Sequence, residues 1–341
     1  MKALDTTRAH MNKMTSGASE IELVPQMLNE RIAYFNGKFV TESKVLVPFR
    51  DKSFLYGDGA FEMTRTFNHR IFRLGEHLER FYRSLRALRL DAGMPLADMQ
   101  SITEQVFDAN LHLLGKNDDY WVAQRVTGGI RKVEGDHWDE YGPTVIVECL
   151  PMPMAERAAF FRDGIRVVTP SIRRTPPDAL TPRAKSHNYL NLILADREVQ
   201  SMHPGCWAVL LDINGNLCEG IGSNIFLVRD GKLLTPKAQF ILAGISRRTV
   251  IEISRDLGIP FEETDIDLYD AYTADEAFIT STSLCVCPIS KFNGVDLAIY
   301  GQITRAITKK YIDLVGCDFV QQYLDCLPEG EIGGISPFAV A

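Results

Sequence analysis

The chain has 341 residues, 45% hydrophobic and 24% charged, with a formal net charge of −7. That length holds one large domain or two ordinary ones, and the composition excludes a disordered chain. There is no basic surplus to neutralise phosphates, which argues against nucleic acid as the main partner, and no apolar run approaches the roughly 18 residues that a membrane span requires.

The first 30 residues lack the apolar stretch of a signal peptide and read as a draped arm. "IAYFNGKFV" (Ile32 to Val40) reads as two short strands about Asn36-Gly37. "FLYGDGAFEMTRTFNHRIFRL" alternates and turns again at Asn68-His69. Leu78, Phe81, Leu85 and Leu88 then recur at helical spacing, and a second helix is expected near Leu96 to Leu114. "YWVAQRVTGG" and "PTVIVECLPM" read as strands, and "PMAERAAFFRDG" as a connection. A second set of strands starts at "IRVVTPSIRR", with a helix after Lys185 and hairpin turns at Asn214-Gly215 and Asp230-Gly231. A helix over "SRRTVIEISRDLG", the segment "DEAFITSTSLCVCPIS" and a C-terminal helix follow. Strands and helices mix without a strict βαβ rhythm, so the expected class is α+β in two domains: an arm over 1–30, a small domain over 31–150, a connection over 151–163 and a large domain over 164–341.

Seven cysteines, an odd number without a CxxC pair, read as reduced thiols in a cytoplasmic protein. "CVC" (Cys285 to Cys287) has strand alternation, and no metal is expected.

The chemistry starts at "TPRAKSHNYLN" (Thr181 to Asn191), where a proline-rich turn runs into Lys185 just before an apolar run. Lys185 and Tyr189 stand four apart, so at a helix start they share a face. A sheltered lysine loses charge, and a neutral lysine attacks carbonyls to form Schiff bases. Glu219, in "LCEGIGSNIF", is an acid beside glycines that let a backbone press against a ligand. "LAGISRRTV" opens a helix near Ser246, and free N–H groups there suit a phosphate. Arg80 is a candidate phosphate clamp, and "TSTSL" (Thr280 to Leu284) adds donors at a strand end. Each of these has a bland counterpart: a surface lysine, a turn carboxylate, a plain helix cap, a solvated arginine. Together they list what pyridoxal phosphate needs: a lysine for its aldehyde, an acid for its ring nitrogen, a phenol and a phosphate cup.

These stations, with "AYFNGKFV", "YGDGAFE", "FRLGEHLERF" and "ITSTS", resemble the class IV aminotransferases of fold type IV. That group includes branched-chain and D-amino acid aminotransferases, (R)-selective amine transaminases and aminodeoxychorismate lyase. The resemblance runs from about Tyr34 to Asp313. It implies that Lys185 holds pyridoxal 5′-phosphate and acts as the catalytic base, that Tyr189 bonds the ring hydroxyl, and that Glu219 bonds the pyridine nitrogen. It further implies phosphate binding by Arg80, Ile245, Ser246 and Thr282, and a homodimer or larger assembly. Tyr56, Ala60, Phe61 and Ser283 fall on the substrate side. The substrates implied are an amino acid or amine and a 2-oxo acid. A lyase on the same scaffold and a non-catalytic member are the alternatives.

Branched-chain enzymes carry glycine after "FE", where this chain has Met63, and an arginine two residues after a strand tyrosine. If that tyrosine is Tyr120, the matching position is Val122, a departure that points away from strict branched-chain L-specificity. "RVTGGIRK" resembles the arginine-bearing loop of D-amino acid and (R)-amine enzymes. Arg131 is therefore a candidate for the substrate carboxylate, with Arg125, Arg173 and Arg174 as rivals.

Overall fold

The computed structural model describes residues 29–135, 142–328 and 335–338. The expected arm lies outside the described residues apart from Asn29 and Glu30. Two sheets and their helices make the α+β fold. The first is antiparallel, in the order Lys38–Thr41, Ile32–Phe35, Val145–Pro151, Tyr120–Thr127, Gly59–Phe67 and Arg70–Ile71. Its tight turns sit where expected: Asn36-Gly37 and Asn68-His69 each have two positive φ angles, the geometry whose twist matches a hairpin.

Helices Leu74–Leu88 and Leu96–Asn110 pack on one face of this sheet. Leu78, Phe81 and Leu85 are buried there, each contributing about 1.5–3 kcal/mol by leaving water. Alternation along Gly59–Phe67 then sorts the residues that matter. Ala60 lies in the helix-packed core and Glu62 meets Arg80 on the helix, whereas Phe67 joins the core of the second sheet and Arg65 reaches Ser283 there.

Among the described residues the second sheet has nine strands and closes on itself. Ser223–Arg229, Glu276–Thr280, Cys287–Phe292, Ile165–Val168, Trp207–Leu211 and Leu217–Gly220 follow in order, and Leu217–Gly220 pairs back to Ser223–Arg229. Glu219 and Asn224 face each other at that closure. The outer helices Ile245–Asp256 and Gln302–Val315 complete the layer.

One local expectation gains detail and one changes. The segment 151–163 holds the helix Met154–Asp163, whose Phe161 stacks on Tyr323 with ring centres 4.5 Å apart. "CVC" is not a strand throughout: Cys285 has φ 56°, and pairing begins at Cys287. All three residues are buried, so core packing accounts for their apolar alternation.

Candidate active site

The lysine segment is an addition to a sheet edge. Phe61 N–H donates to the Lys185 carbonyl at 3.0 Å, His187 N–H donates to the Gly59 carbonyl at 2.8 Å, and Ala60 bridges to Ser186. Lys185 N–H donates to the Ser84 hydroxyl at 3.1 Å. The backbone on both sides of the lysine is thereby fixed. Its Nζ lies 4.3 Å from the centre of the Phe61 ring and donates to the Tyr189 hydroxyl at 3.2 Å.

The helix begins with the apolar run at Leu190, with Tyr189 as its cap, so Lys185 precedes it and is not on its first turn. Lys185 and Tyr189 meet because the chain folds back between them, not through a shared helical face. Ser186, His187 and Asn188 compete with helix by bonding elsewhere. His187 Nδ1 bonds the Ser53 hydroxyl, and Asn188 Nδ2 donates to the Gly57 carbonyl at 2.9 Å. A Cβ on Gly59 would stand 2.5 Å from His187 Nδ1, so only glycine admits this contact. Burial and nearby Arg125, against an opposing effect of Asp51, push the His187 imidazole down to about 4. It is therefore neutral at pH 7. Sequence reasoning passed over His187; the glycine spacing of "YGDG" was its only signal.

Glu219 closes the other side. Its Oε1 accepts from Arg174 Nε at 2.8 Å and its Oε2 from Leu242 N–H at 2.9 Å. Burial pushes this carboxyl upward, and Arg174 works against that rise. Leu242 leads into the turn that starts helix Ile245–Asp256 at Gly244, a cap without a side-chain acceptor. The first N–H groups of the helix, at Ile245 and Ser246, have no acceptor within it. A Cβ on Gly244 would stand 2.3 Å from Asn224 Oδ1, so the turn can lie this close only as glycine. The Ser246 hydroxyl donates to the Ser281 carbonyl at 2.9 Å, tying the turn to the strand end at "TSTSL".

Arg80 reaches this turn from the first sheet's helix and donates to the Ala243 carbonyl at 3.0 Å. Its other nitrogens grip Glu62, Nε at 2.8 Å and Nη2 at 2.5 Å. Glu62 also meets His77 Nδ1 at 3.1 Å. Burial alone would raise the Glu62 carboxyl, but Arg80 and His77 outweigh it and hold it well below the ordinary carboxylate range.

Lys185, Tyr189, Glu219, Arg80, Ile245, Ser246 and Thr282 thus line one cleft between the two sheets. The substrate-side candidates are more scattered. Phe61 is under the lysine, but the Ala60 methyl is buried in the helix-packed core and offers only backbone. Tyr56 is 56% exposed, and its hydroxyl accepts from Arg131 Nη1 at 2.7 Å near the surface. Arg125 pairs with Glu148 at 2.8 Å and lies 5.5 Å from the Phe61 ring centre. Arg174 is committed to Glu219, and Arg173 is exposed. The Ser283 hydroxyl accepts from Arg157 Nη1.

Val122 requires a correction. It is wholly buried with Tyr120 in the helix-packed core, on the face away from the cleft. The other face of Tyr120–Thr127 presents Trp121, Ala123 and Arg125, which pair across to Arg65, Met63 and Phe61. The absence of arginine at 122 therefore says nothing about substrate choice.

A family model, "Amino-transferase class IV", matches residues 59–292. The chain belongs to this family. It is 38% identical over 287 residues to a Methanocaldococcus jannaschii protein named "Putative branched-chain-amino-acid aminotransferase", covering 82% of this chain and 95% of that one. It is 27% identical to a D-alanine aminotransferase of Bacillus licheniformis, covering 76% and 88%. The solved branched-chain aminotransferase of Thermoproteus uzoniensis with norvaline superposes with a TM-score of 0.75 at 30% identity, covering 88% of this chain and 99% of that one. This class IV enzyme is branched-chain-aminotransferase-like and a pyridoxal-phosphate-dependent transaminase, as its motifs implied.

Proposed function

We propose that this chain binds pyridoxal 5′-phosphate through Lys185 and moves an amino group between an amino acid or amine and a 2-oxo acid. The observation that carries the reading is the convergence of Lys185 Nζ, the Tyr189 hydroxyl and the Glu219 carboxylate with an uncapped helix start in one cleft. The donor set fits the cofactor. A primary amine answers its aldehyde, a phenol its ring hydroxyl and an acid its ring nitrogen, while the turn at Gly244 to Ser246 with Arg80 answers its phosphate. When bound, the cofactor supplies an aldehyde that condenses with amines and a ring that accepts electrons from the adjacent carbon.

The chain's own residues do the rest. Lys185 Nζ would hold the cofactor's aldehyde and move a proton at the substrate carbon that bears the nitrogen. The Tyr189 hydroxyl, 3.2 Å from Nζ, holds the amine's direction. Glu219, fixed by Arg174 and the Leu242 N–H, would hold the ring nitrogen of a bound cofactor and favour its protonated form, since an opposite charge favours the charged form. Arg80 is held in place by Glu62 and positions the phosphate turn through Ala243.

The test is a panel of L-amino acids, D-amino acids and (R)- and (S)-1-phenylethylamine, each paired with pyruvate and with 2-oxoglutarate. Amino transfer in at least one pair is expected, and the pairs that react name the amine class. Release of pyruvate from aminodeoxychorismate without an acceptor would replace this reading with the lyase, and silence across the panel would end it.

We also read the working unit as a homodimer or larger. Phe54, Tyr56 and Leu190 are 75%, 56% and 64% exposed on elements joined by the Asn188–Gly57 bond, which clusters apolar surface beside the lysine segment. Light scattering at assay concentration should give at least twice the chain mass; a fully active monomer would contradict the assignment.

A further inference from the structure

The lysine segment extends the first sheet by an edge, and that places Lys185 in register with an arginine. Ala60 bridges to Ser186 in the antiparallel sense, and Phe61 N–H donates to the Lys185 carbonyl, so Lys185 stands opposite Phe61. On the other side of Phe61 its strand partner is Arg125. Paired residues on adjacent antiparallel strands point to one face, so Lys185, Phe61 and Arg125 form a row on the cleft side. The side chains agree: Lys185 Nζ lies 4.3 Å and Arg125 Cζ 5.5 Å from the centre of the same Phe61 ring.

This face is open along the row. Phe61, Met63, Arg125 and Glu148 are half-buried, whereas Ala60, Glu62, Val122 and Val126 on the opposite face are wholly buried. Glu148 is on the open face too, opposite Ala123, and is the counterion of Arg125. It does not saturate the guanidinium. Nε and Nη2 both bond the same oxygen, Oε1, at 2.8 Å, and among the described residues Nη1 has no hydrogen bond. The Arg125 side chain is 31% exposed, so a second acceptor has access to it.

Spacing decides which acceptor. Adjacent strands lie about 4.8 Å apart, so the backbones of Lys185 and Arg125, two strands apart, are separated by about 10 Å. A substrate nitrogen held at Lys185 has its first carboxylate on the adjoining carbon, too near the amine to cross the Phe61 ring. A second carboxylate, at the far end of a short chain, can cross it. We propose that Arg125 receives the second carboxylate of a dicarboxylic amino acid or 2-oxo acid and selects that substrate class. The inference rests on the aminotransferase reading above and names its specificity-determining cation. A substrate with an apolar chain lies on Phe61 and Met63 and leaves Arg125 paired with Glu148, so neither kind of substrate strands an unpaired charge.

The test uses the protein as purified with its cofactor and two non-reacting probes of equal chain length, glutarate and pentanoate, titrated by calorimetry. Arg125→Ala should weaken glutarate about 10- to 100-fold and leave pentanoate within about twofold. Arg125→Lys, which keeps the charge but not the fork, should fall between. Glu148→Gln removes the competing anion and should tighten glutarate about twofold to fivefold, a gain that a merely structural pair would not give. If Arg125→Ala does not fold, the lysine and glutamine variants carry the comparison. Equal losses for the two probes would mean that Arg125 only supports the strands, and unchanged glutarate affinity would mean that it does not meet the substrate; either overturns the proposal. Active transamination with an indifferent Arg125 sinks this site alone. Arg125-dependent glutarate binding without any transamination sinks the aminotransferase reading and leaves the carboxylate site standing.

Discussion

Lys185→Ala should abolish amino transfer, lowering turnover by at least about 10⁴-fold, because one side chain serves as both anchor for the cofactor and proton carrier. The substitution is a clean one. Among the described residues Lys185 Nζ hydrogen-bonds the Tyr189 hydroxyl alone, whereas the segment is held by its backbone through Phe61, Ser84 and the neighbouring His187. The cofactor-free variant should therefore melt close to the cofactor-free wild type. Retained turnover in the variant, measured with the best donor and acceptor pair, would show that another group moves the proton.

Glu62→Gln should be the most damaging change to stability. Glu62 is wholly buried, and its carboxylate receives Arg80 Nε and Nη2, His77 and the Met63 N–H. The amide leaves the Arg80 guanidinium, itself 7% exposed, as a buried charge without its counterion. Breaking such a pair costs about 3–5 kcal/mol. Because Arg80 also bonds the Ala243 carbonyl, cofactor affinity should fall with stability. The pH dependence has a definite sign. The folded-state value of Glu62 is depressed below its ordinary 4.5, so the unfolded chain binds more protons in acid. Its contribution is complete above that value and is lost as pH falls below it. Denaturant titrations at pH 7 and in acid should show the wild type losing stability on acidification and Glu62→Gln losing less. A variant as stable as wild type at pH 7 would mean that Arg80 does not depend on Glu62.

The residues that line the cleft stood together in the sequence because they lie in short strings. "RAKSHNYLN", "CEGIGSNIF" and "LAGISRRTV" each carry their own turn chemistry, and the closed sheet only has to bring three loops to one cleft. The substrate side was not legible in the same way. Strand faces alternate with a period of two, so taking Tyr120 rather than Trp121 as the reference residue turned the whole strand over and put Val122 in the site. Ala60 and Phe61 show the same hazard one strand away, with the methyl in the core and the ring under the lysine. Glu62 was passed over because its meaning depends on Arg80, 18 residues away on a packed helix.

The central claim is that Lys185 is the lysine that holds the cofactor. Borohydride reduction of the purified, cofactor-loaded wild type, followed by digestion and peptide mass mapping, tests it without any substitution. The account predicts a pyridoxyl-phosphate mass on the peptide that contains Lys185 and on no other. The same mass on a different lysine, or its absence from a protein that carries out amino transfer, would contradict it.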